Sequence, residues 1–167
     1  VNQLSVASIS TGPLLSAGVS ILPAVPFTNT IVAAATPTTY KWSGLISTDV
    51  RTAANWTVSG ITSTSIPGSL DTAIFDLNAG GVLLGTDAVN ILDFEGPGRW
   101  TLGSGASLSA TSIVAVANSS GGTALNVGSA ATLSADGRIL IGSGTGLAGS
   151  ATVSAGGTLR QTATATM

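Results

Sequence analysis

The 167-residue chain has no cysteine and no histidine. The first absence excludes disulfides and thiolate metal sites, and leaves the redox compartment open. Together the two exclude Ser-His and Cys-His nucleophilic pairs and any imidazole base. Charge is scarce as well. Only 7% of residues are charged, five Lys or Arg against seven Asp or Glu, for a net charge of −2, where ordinary soluble domains carry about a quarter. The basic residues Lys41, Arg51, Arg99, Arg138 and Arg160 are spread along the chain and form no nucleic-acid patch. No uninterrupted apolar run reaches the roughly 18 residues of a membrane-spanning helix. Apolar residues nonetheless make up 44%, so the surface must consist of hydroxyls, small apolar groups and backbone. That suits a subunit built into an assembly.

What the chain has in quantity is a repeat between Leu77 and Met167. Four apolar positions recur with internal spacings of six, six and two. The sets are Leu77, Leu83, Val89 and Ile91; Leu102, Leu108, Val114 and Val116; Val127, Leu133, Ile139 and Ile141; and Val153, Leu159, Ala165 and Met167. They are offset by 25, 25 and 26 residues. A period of that size marks stacked coils that bury an apolar side only against their neighbours. The pair two apart reads as a strand with one face turned inward. The intervening Gly, Ser, Ala, Thr and Asn supply corners and oppose helix. The expected fold is all-β: a parallel β-solenoid (β-helix) of about four coils of 25–26 residues over 77–167. A disordered Gly/Ser linker is the bland alternative.

Residues 1–39 carry no charge and hold Pro13, Pro23, Pro26 and Pro37, which favours extended chain over helix. This stretch reads as an apolar arm that docks on a partner through Leu14, Leu15, Val19, Ile21, Leu22, Val25, Phe27, Ile31 and Val32. Folding back on its own coils is the alternative. Ala33-Ala-Ala35 could pass for a signal cleavage site, yet no Lys or Arg precedes the apolar part. Residues 40–76 gather Tyr40, Trp42, Trp56 and Phe75, the aromatic mass that a cap on the first coil requires. Exposed aromatics of this kind would instead suit sugar rings.

The order Tyr40-Lys-Trp42-Ser-Gly44, Ala53-Ala-Asn55-Trp56, Ile66-Pro-Gly68 and Asp71-Thr-Ala-Ile-Phe75, followed by Gly-rich coils such as Val153-Ser-Ala-Gly-Gly-Thr-Leu159, resembles large bacterial surface proteins with autotransporter-type β-helix repeats. The resemblance covers Tyr40 to Met167. It implies a secreted β-helix used as adhesin, fibre or scaffold. Similar coils occur in phage spikes and head fibres, which need neither an export barrel nor a leader.

Candidate chemistry is sparse. Asp93 and Glu95, two apart on a possible strand, face the same way and form the one pair suited to acid–base work, with Arg99 nearby. Gly96-Pro-Gly98 beside them reads as a turn carrying solvated charge. The calcium nonapeptide pattern is absent, and Asp136-Gly137 is a turn signal. Asn55-Trp-Thr57 and Asn118-Ser-Ser120 fit the glycosylation pattern. The expectation is a non-enzymatic structural protein without cofactor or metal: a virion surface fibre or decoration subunit. It would be anchored to a capsid or neighbouring subunit through its arm and be a homo-oligomer, a trimer by analogy with phage fibres. A secreted bacterial adhesin fragment, with a possible glycan partner at the cell surface, is the second reading. A polysaccharide-processing enzyme using Asp93 and Glu95 is the third.

Overall fold

The computed structural model describes residues 35–77, 79–119, 121–143 and 146–163. The chain divides into two units at Ala33/Ala34, and every described residue belongs to the second. The proposed arm contacts, Leu14 to Val32, lie outside the described residues, as do Ala165 and Met167 of the fourth apolar set.

Among the described residues the fold is all-β, with mostly parallel pairing. The strands are β1 (Thr39–Trp42), β2 (Trp56–Val58), β3 (Ile61–Thr62), β4 (Thr72–Phe75), β5 (Gly80–Leu83), β6 (Thr86–Phe94), β7 (Arg99–Leu102), β8 (Ser107–Val116), β9 (Thr123–Val127), β10 (Thr132–Ala135), β11 (Arg138–Ile141), β12 (Gly149–Val153) and β13 (Thr158–Gln161). A single 3-10 turn spans Ala53–Asn55. One sheet runs β13-β10-β8-β6-β4-β1-β2-β3, with β11 also on β8; the other runs β12-β9-β7-β5. Only the β1–β2 and β2–β3 pairs are antiparallel.

The strands form because inward and outward residues alternate. In β8 the inward Leu108 and Ala110 alternate with Ser107 and Ser109, and β10 repeats this with Leu133 and Ala135 against Thr132 and Ser134. Partners in register make files, buried along most of their length and exposed at Val153 and Ile141, where two of them end. One file is Leu83, Leu102, Val127 and Val153. Another is Leu108, Leu133 and Leu159, and a third is Phe75, Phe94, Val116 and Ile141.

The last three apolar sets therefore fall where the 25- and 26-residue offsets place them, as far as they are described. The first set does not. Leu83 pairs with Leu102, 19 residues on, and the residue opposite Leu108 is Asp87, not Leu83. Val89 faces Ala110 and Ile91 faces Ile113, with a bulge between them. The physical reason is corner length. Two residues join β5 to β6 where four join β7 to β8, and four join β6 to β7 where six join β8 to β9. The 25–26-residue length thus fails for the earliest pass, and Leu77 packs at the margin of the core, outside the files.

The aromatics are interior. Trp56, Trp100, Phe75 and Phe94 are at most 1% exposed, and Tyr40 and Trp42 are also buried. Trp42 meets Trp56 edge to face at 5.0 Å, and Phe75 touches Trp56 at 5.3 Å and Trp100 at 5.5 Å. Such edge-on contacts suit the ring quadrupole. Sugar stacking on these rings is excluded by their burial. Just past β5, Leu84 exchanges backbone bonds with Thr48 and Val50. No helix among the described residues is long and apolar enough to cross a membrane.

Candidate functional site

Asp93 and Glu95 come together at the corner that ends β6. Leu92 and Phe94 point inward, so Asp93 turns outward, and a side-chain contact with Asp93 brings Glu95 beside it. Glu95 is nevertheless buried, at 4% exposure. The turn that follows β8 closes over it. Ala117 adopts a left-handed φ of 58°, and the backbone N–H groups of Asn118 and Ser119 donate to Glu95 Oε1 at 3.1 and 2.7 Å. Successive N–H groups beside a left-handed residue form an anion-holding nest. One corner on, Ser143 Oγ donates to Asn118 Oδ1 at 2.8 Å. Thr123 Oγ1, itself buried, donates to the Gly96 carbonyl at 2.6 Å. Glu95 is a brace between consecutive corners.

Asp93 lies within hydrogen-bonding reach of both Glu95 and Asn118, while its Oδ1 is buried without a partner. Burial pushes its carboxyl up to about 7, and the neighbouring Glu95 adds to the rise through charge and hydrogen bonding; the Asn118 contact opposes it. The pair can hold a proton near neutrality. In glycoside hydrolysis the two carboxyls stand about 5 Å or more apart with the sugar between them. Here they touch each other, and one is committed to backbone.

Arg99, expected beside this pair, is carried by β7 onto the outer face of the four-stranded sheet. Asn55 sits where a glycan could not reach. It is fully buried, and its Oδ1 accepts from Ile46 and Ser47 N–H at 2.9 and 3.0 Å. Its Nδ2 donates to Ser47 Oγ and the Asp49 carbonyl. Asn118 is exposed but holds Ser143. Asp136-Gly137 forms the turn between β10 and β11.

A second constellation escaped the sequence reading. Asp87 occupies the inward file position that Leu fills in the next three strands. It lines a groove of about 440 Å³ with Arg51, Ile66, Pro67, Thr86 and Ser109. Burial raises its carboxyl; the Ala88 N–H and the Arg51 charge pull the other way. Its only sequence signal is a polar residue out of step with the later sets, which becomes visible once the short first corner is known.

No group of three or more Asp or Glu able to hold a metal occurs among the described residues. No family model matches the chain, and neither the curated proteins nor the solved structures include a match to it.

Proposed function

We propose that residues 77–163 form a parallel β-solenoid and that the chain is a non-enzymatic structural protein, a virion-surface fibre or decoration subunit anchored through residues 1–39. The observation that carries the reading is the parallel register of β8, β10 and β13, in which Leu108, Leu133 and Leu159 follow one another. Coils stacked this way give a rigid rod whose stability comes from neighbour-on-neighbour burial. The low charge and the outward Ser and Thr files make a surface suited to a fixed place in an assembly. Glu95 is committed to the backbone N–H groups of the next corner, which favours this reading over polysaccharide cleavage.

The stack is tested by a cross-link. Ser109 and Ser134 are outward register partners, and adjacent strands stand about 4.8 Å apart, within disulfide reach. In this cysteine-free chain, Ser109→Cys with Ser134→Cys should oxidise to one intramolecular disulfide; failure to close removes the stack. The anchoring is tested by deleting residues 1–36. Particles from the native source should lose the truncated chain, and full occupancy overturns the virion reading. Recovery of the chain on cell surfaces instead supports the adhesin.

A further inference from the structure

The outer face of the four-stranded sheet carries a hollow of about 230 Å³. Two files of outward side chains surround it. Arg99, Ala124 and Ser150 lie in register on β7, β9 and β12, and Thr101, Asn126 and Thr152 lie in register two residues along. Ala124 makes the hollow, because a methyl group stands between the longer Arg99 and Ser150.

The groups around it are mostly donors. The Arg99 guanidinium presents five N–H groups and no acceptor, and it makes no ion pair among the described residues. Asn126 Oδ1 accepts from Ser154 Oγ at 3.1 Å, which leaves the two amide N–H donors of Asn126 unspent. The hydroxyls of Thr101, Ser150 and Thr152 make no hydrogen bond among the described residues. None of the four strands carries a carboxylate. In a chain of net charge −2, this face holds one cation and no anion.

Donors without a competing acceptor recognise a negative oxygen group, and Arg does so with a planar fork. A single Arg is too little for a phosphate polymer or an anionic bilayer, which need several basic groups. Hydroxyls flanking the Arg match a ligand that is itself polyhydroxylated. The volume falls below the roughly 300 Å³ where drug-sized pockets begin, which suits one sugar ring.

We propose that this hollow binds an acidic saccharide, with the sugar carboxylate on Arg99 and Asn126 and ring hydroxyls against Thr101, Ser150 and Thr152. The proposal stands apart from the structural role above, since a rod subunit needs no such ligand. The test is amide chemical-shift titration of the full chain with trigalacturonate, with neutral galactotriose and with sodium sulfate. Trigalacturonate should give saturable shifts confined to 99–101, 124–126 and 150–152. Galactotriose should bind about tenfold more weakly or worse, as should the Arg99→Gln variant toward trigalacturonate (one charge-assisted contact). Ala124→Leu should fill the hollow and abolish the shifts while circular dichroism stays unchanged. Absent or scattered shifts, an equal response to galactotriose, or unaltered binding by Arg99→Gln overturns the proposal. Sulfate matching trigalacturonate in affinity and shift pattern also overturns it, by reducing the hollow to a simple anion site.

Discussion

Phe75 lies almost flat on Phe94, with ring centroids 4.9 Å apart and planes within 11° of parallel. The two residues are register partners on β4 and β6, so the aromatic cluster of residues 40–76 is joined to the later strands by a stacked pair. Phe94 is fully buried. Phe94→Ala should cost about 3–5 kcal/mol in chemical denaturation. A double-mutant cycle with Phe75→Leu should return about 0.5–1.5 kcal/mol of coupling.

Asn55 serves the neighbouring loop with both halves of its amide, from full burial. Asn55→Ala strands the Ile46 and Ser47 N–H groups. A loss of about 2–4 kcal/mol is expected in the same assay. Mass spectrometry of chain made in a glycosylating host should find Asn55 unmodified.

Gly80 combines a left-handed φ of 68° with a backbone contact that leaves no room for a side chain, since a Cβ would collide with the Arg99 carbonyl. Gly60 has a φ of 80° but open space around it. Gly60→Ala should therefore cost only the conformational penalty, about 1 kcal/mol, and Gly80→Ala clearly more. Equal melting temperatures for the two variants would contradict the close approach of β5 to β7.

Asp93 sets a pH dependence. Its folded carboxyl titrates near 7 rather than 3.8, so the folded state holds the proton more tightly than the unfolded chain. The resulting stability is complete below about pH 4 and is lost as pH rises through 7. After allowance for solvent screening, that loss amounts to about 1–2 kcal/mol. Asn at this position cannot ionise, so Asp93→Asn should flatten the profile between pH 4 and 8. A wild-type profile that rises across this window would refute the assignment.

Position along the stack should grade the cost of core truncation. Leu133 is fully buried between β8 and β13, whereas Leu159 on β13 is half-buried. Leu133→Ala should lose about 3–5 kcal/mol and Leu159→Ala about 1–2. The comparison is made by urea unfolding.

Parallel strands, their inward faces and the later offsets were legible in the residue pattern. Leu108, Leu133 and Leu159 recur in Ser/Thr-rich segments 25 and 26 residues apart, and a near-constant spacing brings them into one register. The first pass was misread because its corners are shorter, and spacing cannot distinguish a shortened turn from a displaced strand. Asp93 and Glu95 were expected to face the same way, and they meet at the end of β6; the solvated charge expected at this turn is not found, because Glu95 is buried. That Glu95 would be covered by the turn at Ala117–Ser119 was not legible, since the two segments lie some twenty residues apart in sequence and meet only through stacking.

Composition and periodicity by themselves determined that the described residues are all-β, that the chain lacks imidazole and thiol chemistry, and that rows of Leu and Val are hidden. Those properties depend on which side chains are present and how often they recur. Tertiary structure alone decided which rows align, that Asn55 and Glu95 each accept from two backbone N–H groups, and that Arg99 shares a face with Asn126 and Thr152. Contacts between strands depend on corner lengths and on what covers each group, and neither is written in any local stretch of residues.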